Sequence, residues 1–262
     1  MSFFKRIAAS MGVGGAEVDT VLDKSTFCPG DLITGTIHVR GGSVKQDIDD
    51  IDLYVMTRYI MEKDDQRIYQ ESKITTFRAV NRFTILPREE KSFPFQFRLP
   101  LDTPISLGSC MVWIKTNLDI KHGLDAQDND QIQVRPHPWI DKILNAVSDC
   151  GFRLREADCE YAPYFRRRLP FVQEFEFVPN TRKYQNKLDE IELVFHLEEN
   201  GLEVALEVDR KARGVSGWLE EQLNLDETLV RVRLSRDDLN QNEKELAKKF
   251  DELISQHANR RF

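Results

Sequence analysis

No stretch of this chain approaches the roughly 18 consecutive apolar residues that a membrane-crossing helix needs. A signal peptide's apolar centre is also missing from its start, MSFFKRIAASMGVGGAEV. Cysteine is scarce, at four residues: Cys28, Cys110, Cys150 and Cys159. None stands in a C-x-x-C pair and their spacing fits no zinc ribbon, so reduced, buried thiols in a cytoplasmic protein are expected. The five histidines, His38, His122, His137, His196 and His257, show no metal-ligand spacing. The phosphate-binding motif G-x-x-x-x-G-K-[ST], the dinucleotide fingerprint and the G-x-S-x-G nucleophile turn are all missing. Positive charge is in deficit, 37 Lys and Arg against 44 Asp and Glu, and the net charge of −7 argues against nucleic acid or an anionic membrane as partner.

What is present is alternation. Residues 188–213, LDEIELVFHLEENGLEVALEVDRKAR, hold two runs in which apolar and charged residues alternate. Ile191, Leu193, Phe195 and Leu197 share one face, and Leu202, Val204, Leu206 and Val208 share another. Asn200-Gly201 between them predicts a β-hairpin with a two-residue type I′ turn. Further strands are predicted around the turn FCPGD, where Pro29 presets φ and Gly30 accepts a positive one. The same alternation recurs at 33–39 and at 50–61 (Ile51, Leu53, Val55 and Tyr59 on one face); one or two strands are read within 67–86, a central strand at 109–120, apolar on both faces at first, and a short strand at 130–135. In KSFPFQFRLP, Phe93, Phe95, Phe97 and Leu99 share a face. Pro94 cannot donate to a ladder, which predicts an edge strand or a bulge.

The pattern breaks at RPHPWIDKILNAVSDCGF, read as a linker helix with Pro138 in its first turn and Gly151 at its stop. Strands resume at 152–160, 171–179, 190–209 and 227–234. Two short helices are expected elsewhere, one near the N-terminus with Phe3, Phe4, Ile7 and Met11 as its stripe, and one over 214–224 with Ser216 as N-cap. Ser235 and Asp238 open a C-terminal helix whose apolar face is Leu239, Leu246, Phe250 and Leu253. Glu245 and Lys249 form its i,i+4 pair. The fold class is therefore mainly β: two tandem antiparallel β-sandwiches with a linker helix and a C-terminal helix. The domains are 1–137, 138–150 (linker helix) and 151–262.

Several segments together resemble the bacterial sporulation-control protein family. They are the opening MSFFKRIAASMGVGGAEVDTVL, CPGDLITGTIHVRGG, FRLPLDTPISLGSCMVWIKTNLDIKHGLDAQDND, GFRLREADCE, RLPFVQEFEF, LDEIELVFHLEENGLEVALEVDRKARG and the closing helix. The P-G-D-x-x-x-G turn and the P-L-D-T-P-x-S segment also resemble arrestins. The resemblance implies an arrestin-like fold. It further implies a non-enzymatic, cytoplasmic regulatory or adaptor protein that affects sporulation onset and cell-cycle events by binding other proteins, without a cofactor.

Two segments carry candidate sites. Arg166, Arg167 and Arg168 are the densest cationic feature and the candidate partner contact, since guanidinium groups read carboxylates and phosphates bidentately, which suits an acidic or a phosphorylated partner. The alternative is that they pair with the chain's own acids. In LDIKHGLDAQDND, Asp125, Asp128 and Asp130 (with Asp119) could hold calcium through carboxylate oxygens, but the spacing fits no EF-hand and a solvated interstrand loop is expected. The competing functional readings are a calcium- or carbohydrate-binding β-sandwich and a hydrolase using this acidic loop. Other proteins are the expected partners, with no nucleic acid and no membrane contact. A homodimer is left open.

Overall fold

The computed structural model describes residues 14–64, 66–209 and 229–258. The helices expected near the N-terminus and over 214–224 lie outside these residues. The chain divides into two compact units, one of residues 1–106 with 110–135, the other of residues 107–109 with 136–262.

The first unit is a pair of sheets. One holds β1 (Glu17–Leu22), β3 (Leu32–Arg40) and β7 (Glu90–Arg98), all antiparallel, with β3 in the middle. The other holds β2 (Thr26–Phe27), β9 (Ala126–Val134), β8 (Val112–Ile120) and β4 (Gln46–Lys63) in that order. Beyond these, β5 (Gln66–Val80) and β6 (Phe83–Ile85) both pair with β4. Alternate residues point inward: Val18, Ile33, Ile37 and Val39 from the first sheet, Ile51, Leu53, Val55, Ile114 and Leu118 from the second, all fully buried. Within the three-stranded sheet β7 pairs only with β3 and is terminal, and Pro94, exposed, stands opposite Thr36. An edge position tolerates the missing amide hydrogen.

The PGD turn is held by backbone and side chain together. Gly30 has φ +89°, a conformation that favours glycine. The Asp31 carboxylate accepts from the Cys28 amide at 3.0 Å, and the Gly30 amide donates to the Leu99 carbonyl at 2.9 Å.

The second unit is a five-stranded antiparallel sheet in chain order: β10 (Phe152–Tyr161), β11 (Phe171–Pro179), β12 (Glu190–Glu198), β13 (Gly201–Asp209) and β14 (Val230–Ser235). Among the described residues its helices are α1 (Pro138–Asp149), α2 (Arg236–Asn240) and α3 (Glu243–Ala258). Helix α1 starts at His137, whose Nδ1 accepts from the Trp139 amide at 3.3 Å, with Pro138 in its first turn; it stops at Gly151, φ +97°. It is built into this unit, packed on α3 and β10. Ile143, Ala146 and Val147 are fully buried, as are Leu246, Phe250 and Ile254 of α3. The Tyr184 hydroxyl ties α3 down through the Asp251 carboxylate at 2.8 Å and Ser255 Oγ at 2.7 Å.

Local expectations are corrected at two places. The tight turn of the β12–β13 hairpin is Glu199-Asn200, because Glu198 pairs directly with Gly201. Neither Asn200 nor Gly201 is among the residues with positive φ. Glycine is needed at 201 for another reason: a Cβ there would lie 2.5 Å from the Leu234 carbonyl oxygen of the adjacent strand. The C-terminal helix is in fact two. The Ser235–Asp238 capping box opens only the five-residue α2, and Asn242 restarts the chain by accepting from the Glu245 amide at 2.9 Å. The restart shifts the buried stripe of α3 to Leu246, Phe250 and Ile254, so Ile254 rather than Leu253 faces inward. Lys249 reaches Asp238 at 3.8 Å, where sequence spacing had assigned it to Glu245.

Candidate functional site: an arginine corner and a glutamate face

The segment between β10 and β11 contains one 3-10 turn, Pro163–Phe165, which ends with Arg166 in the left-handed region at φ 50°. After that reversal Arg166 and Arg168 are exposed, while Arg167 is half-buried. Arg167 turns back onto the sheet, where its Nη2 donates to Glu203 Oε1. Glu203 lies on β13 and is only 6 % exposed. Its second oxygen accepts from Arg233 Nε at 3.2 Å, and Arg233 is the residue directly opposite on β14. One buried carboxylate is thus held by two guanidinium groups, which satisfies the hydrogen-bonding need of a charge removed from water. Arg166 and Arg168 are exposed. Arg231 on β14 is also exposed, and its guanidinium lies 5.7 Å from the centre of the Phe165 ring. Of the three arginines named from sequence, Arg167 is therefore engaged by the chain's own acid. The loop is joined at this corner by Arg231 and Arg233, more than sixty positions downstream. The sequence signal for those two was their period-2 spacing in VRVRLS, but their neighbours depend on strand order.

The sheet face beside this corner is acidic. Glu156, Glu176, Glu192 and Glu207 stand directly opposite one another in a single row across β10, β11, β12 and β13. Like charges placed directly opposite on adjacent strands repel. Arg155 relieves one end by pairing with both Glu176 and Glu190. Burial, followed by repulsion from Glu174 and Glu207, pushes the Glu192 carboxyl well above its ordinary range. Glu174, one register step away, is pushed up in the same way by burial and then by Glu160 and Glu207. The neighbouring Tyr164 hydroxyl is raised by burial and then by Glu174 and Glu207. A small apolar cluster of Ala162, Phe165, Val172, Val194 and Ala205 occupies the rest of this face.

The acidic loop of the first unit separates into individual roles. Asp125 Oδ1 accepts from the Ile120 amide at 3.1 Å, and Asp128 accepts from the Thr20 amide at 2.7 Å. Asp130 is raised by burial, then by Asp128 and Asp19. Among the described residues no three His, Cys, Asp or Glu side chains converge as a metal site. His38 contacts Ser92 Oγ through Nδ1 at 2.9 Å and stands opposite Asp19. This Asp–His–Ser row lies across an outer sheet face, with Ser92 exposed on the edge strand.

These observations define a mainly β chain with a two-sheet unit and a helix-backed sheet. Residues 4–212 match the family described as SpoOM protein (Spo0M), and the chain belongs to that family. It is 54% identical over 258 residues to the sporulation-control protein Spo0M of Bacillus subtilis (strain 168), covering 98% of this chain and all of that one. The crystal structure of Spo0M, sporulation control protein, from Bacillus subtilis superposes with a TM-score of 0.89 at 52% identity, over 94% of this chain and all of the solved one. Among the described residues no helix is long and apolar enough to cross a membrane.

Proposed function

We propose that this protein regulates sporulation as a non-enzymatic adaptor in the cytoplasm, and that it acts by docking other proteins in the manner of arrestin-like proteins. The observation that carries the reading is the 54% identity to a sporulation-control protein along essentially the whole of both chains. The corner at Arg166–Arg168 is the contact we assign to the partner, with Arg166 and Arg168 exposed and Arg167 fixing the loop to the sheet. Effects on cell-cycle events belong to the same reading.

The test is complementation. A Bacillus subtilis strain deleted for its Spo0M receives this chain at native expression, and spore counts over time are compared with those of the parent. Restored timing supports the reading. A well-expressed chain that leaves the deletion phenotype unchanged overturns it.

A further inference from the structure

The arginine corner coincides with a sheet edge. Among the described residues β14 pairs only with β13, and no described strand takes up the amides and carbonyls on the outer side of this six-residue strand. Exposed strand edges of this kind accept a further strand from another chain. Arg231 and Arg233 are two apart on β14 and therefore project to the same face. Arg233 is 85 % exposed even while it grips Glu203. Arg231 lies against Phe165, the residue before Arg166, which brings the arginine loop beside the strand.

We propose that the outer edge of β14, rimmed by Arg166, Arg168, Arg231 and Arg233, docks an extended Asp/Glu-rich segment of a partner protein. This rests on the adaptor reading and specifies the chemistry of the partner. Three observations select this occupant. The corner already shows what it binds: the Glu203 carboxylate accepts one hydrogen bond from Arg167 on one oxygen and one from Arg233 on the other. The period-2 spacing of Arg231 and Arg233 matches carboxylates at alternate positions of an added strand, where directly opposed opposite charges attract. The surroundings exclude the other common polyanion. The glutamate row lies on the same sheet and the net charge is −7, so the longer and denser charge of a nucleic acid would be repelled beyond the corner.

The test uses the full chain and a fluorescein-labelled ten-residue peptide of alternating Glu and Val, read by fluorescence anisotropy at low and physiological salt. Three further ligands serve as controls: the same peptide with Gln for Glu, one N-methylated at alternate amides, and a single-stranded DNA of equal charge. The variant is R166E/R168E/R231E, which leaves the Arg167–Glu203–Arg233 clasp intact. An unchanged melting temperature establishes that it folds.

The proposal expects saturable binding of the Glu peptide that weakens with salt. It expects a loss of about tenfold or more in the triple variant and a comparable loss on N-methylation. Equal binding of the Gln peptide, equal binding of the N-methylated peptide, an unaffected triple variant, tighter binding of the DNA, or no binding at all would each overturn it. The adaptor reading is scored separately by complementation. If the triple variant restores sporulation timing as fully as the parent chain, the docking edge fails and the regulatory role stands.

Discussion

Glu192 on β12 and Glu207 on β13 are directly opposed, at one end of a row of four glutamates. Glu192 Oε2 is buried and has no hydrogen-bond partner among the described residues. An arrangement of this kind is tolerable only where the sheet gains more from its other face, and here that face carries Phe175, Phe177, Ile191, Leu193, Val204 and Leu206, all 1 % exposed or less.

This row makes the second unit sensitive to pH. Glu192 and Glu174 are raised in the fold above the roughly 4.3 of an unfolded glutamate. The folded protein therefore keeps protons that the unfolded chain releases. The stability this confers is full below the unfolded value and is lost as pH rises through the raised folded values. Urea midpoints measured from pH 5 to pH 9 should fall as pH rises. Glu192→Gln should flatten that fall and stabilise the protein at pH 8 by at least about 1 kcal/mol, since each unit by which the folded carboxyl is raised costs about 1.4 kcal/mol once the unfolded group is ionised. A parent midpoint that rises over the same range would contradict the assignment.

Glu203 should matter for stability out of proportion to its place in a charged corner. Glu203→Ala leaves Arg167 and Arg233 without their shared carboxylate, and the half-buried Arg167 bears most of the cost. A loss of about 1–3 kcal/mol is expected in chemical denaturation. Glu203→Gln keeps one acceptor and should cost less. The exposed Arg166→Ala should fall within about 0.5 kcal/mol of the parent.

The hairpin gives a paired test of where its turn lies. Gly201→Ala places a methyl 2.5 Å from the Leu234 carbonyl oxygen and should cost about 1–3 kcal/mol, because β14 must shift to admit it. Asn200→Ala should be close to neutral, since Asn200 is exposed and its φ is not positive. If Asn200→Ala were the more costly change, Asn200-Gly201 would be the turn after all.

All four cysteines are thiols. Burial, then Asp251, pushes the Cys150 thiol up to about 12, and its Sγ donates to the Ala247 carbonyl at 3.1 Å. Iodoacetamide at pH 8 should therefore modify native Cys150 at a negligible rate. Cys28, the one cysteine that is not buried, should react first. After denaturation under non-reducing conditions all four should be alkylated, as read by peptide mass spectrometry.

The strands were largely legible because period-2 alternation is a local property. Ile51, Leu53 and Val55 are inward, as are Ile191, Leu193 and Leu197, because one face of each strand must leave water. Pro138 and Gly151 marked α1 for equally local reasons, a preset φ at one end and a positive φ at the other. The family was legible in whole segments of the chain and is confirmed by the match over residues 4–212. What the tertiary structure alone decided were the meetings of distant residues. A carboxylate in the sequence carries no sign of which strand will lie beside it, so the row through Glu156, Glu176, Glu192 and Glu207 exists only once the register of four strands is set. The same holds for Arg167, drawn to Glu203 thirty-six positions away, and for Gly201, required by the approach of β14 rather than by its own turn. Local chemistry fixes the conformation a residue prefers, whereas its charge partners and the space left for its side chain are set by whichever strand packs next to it.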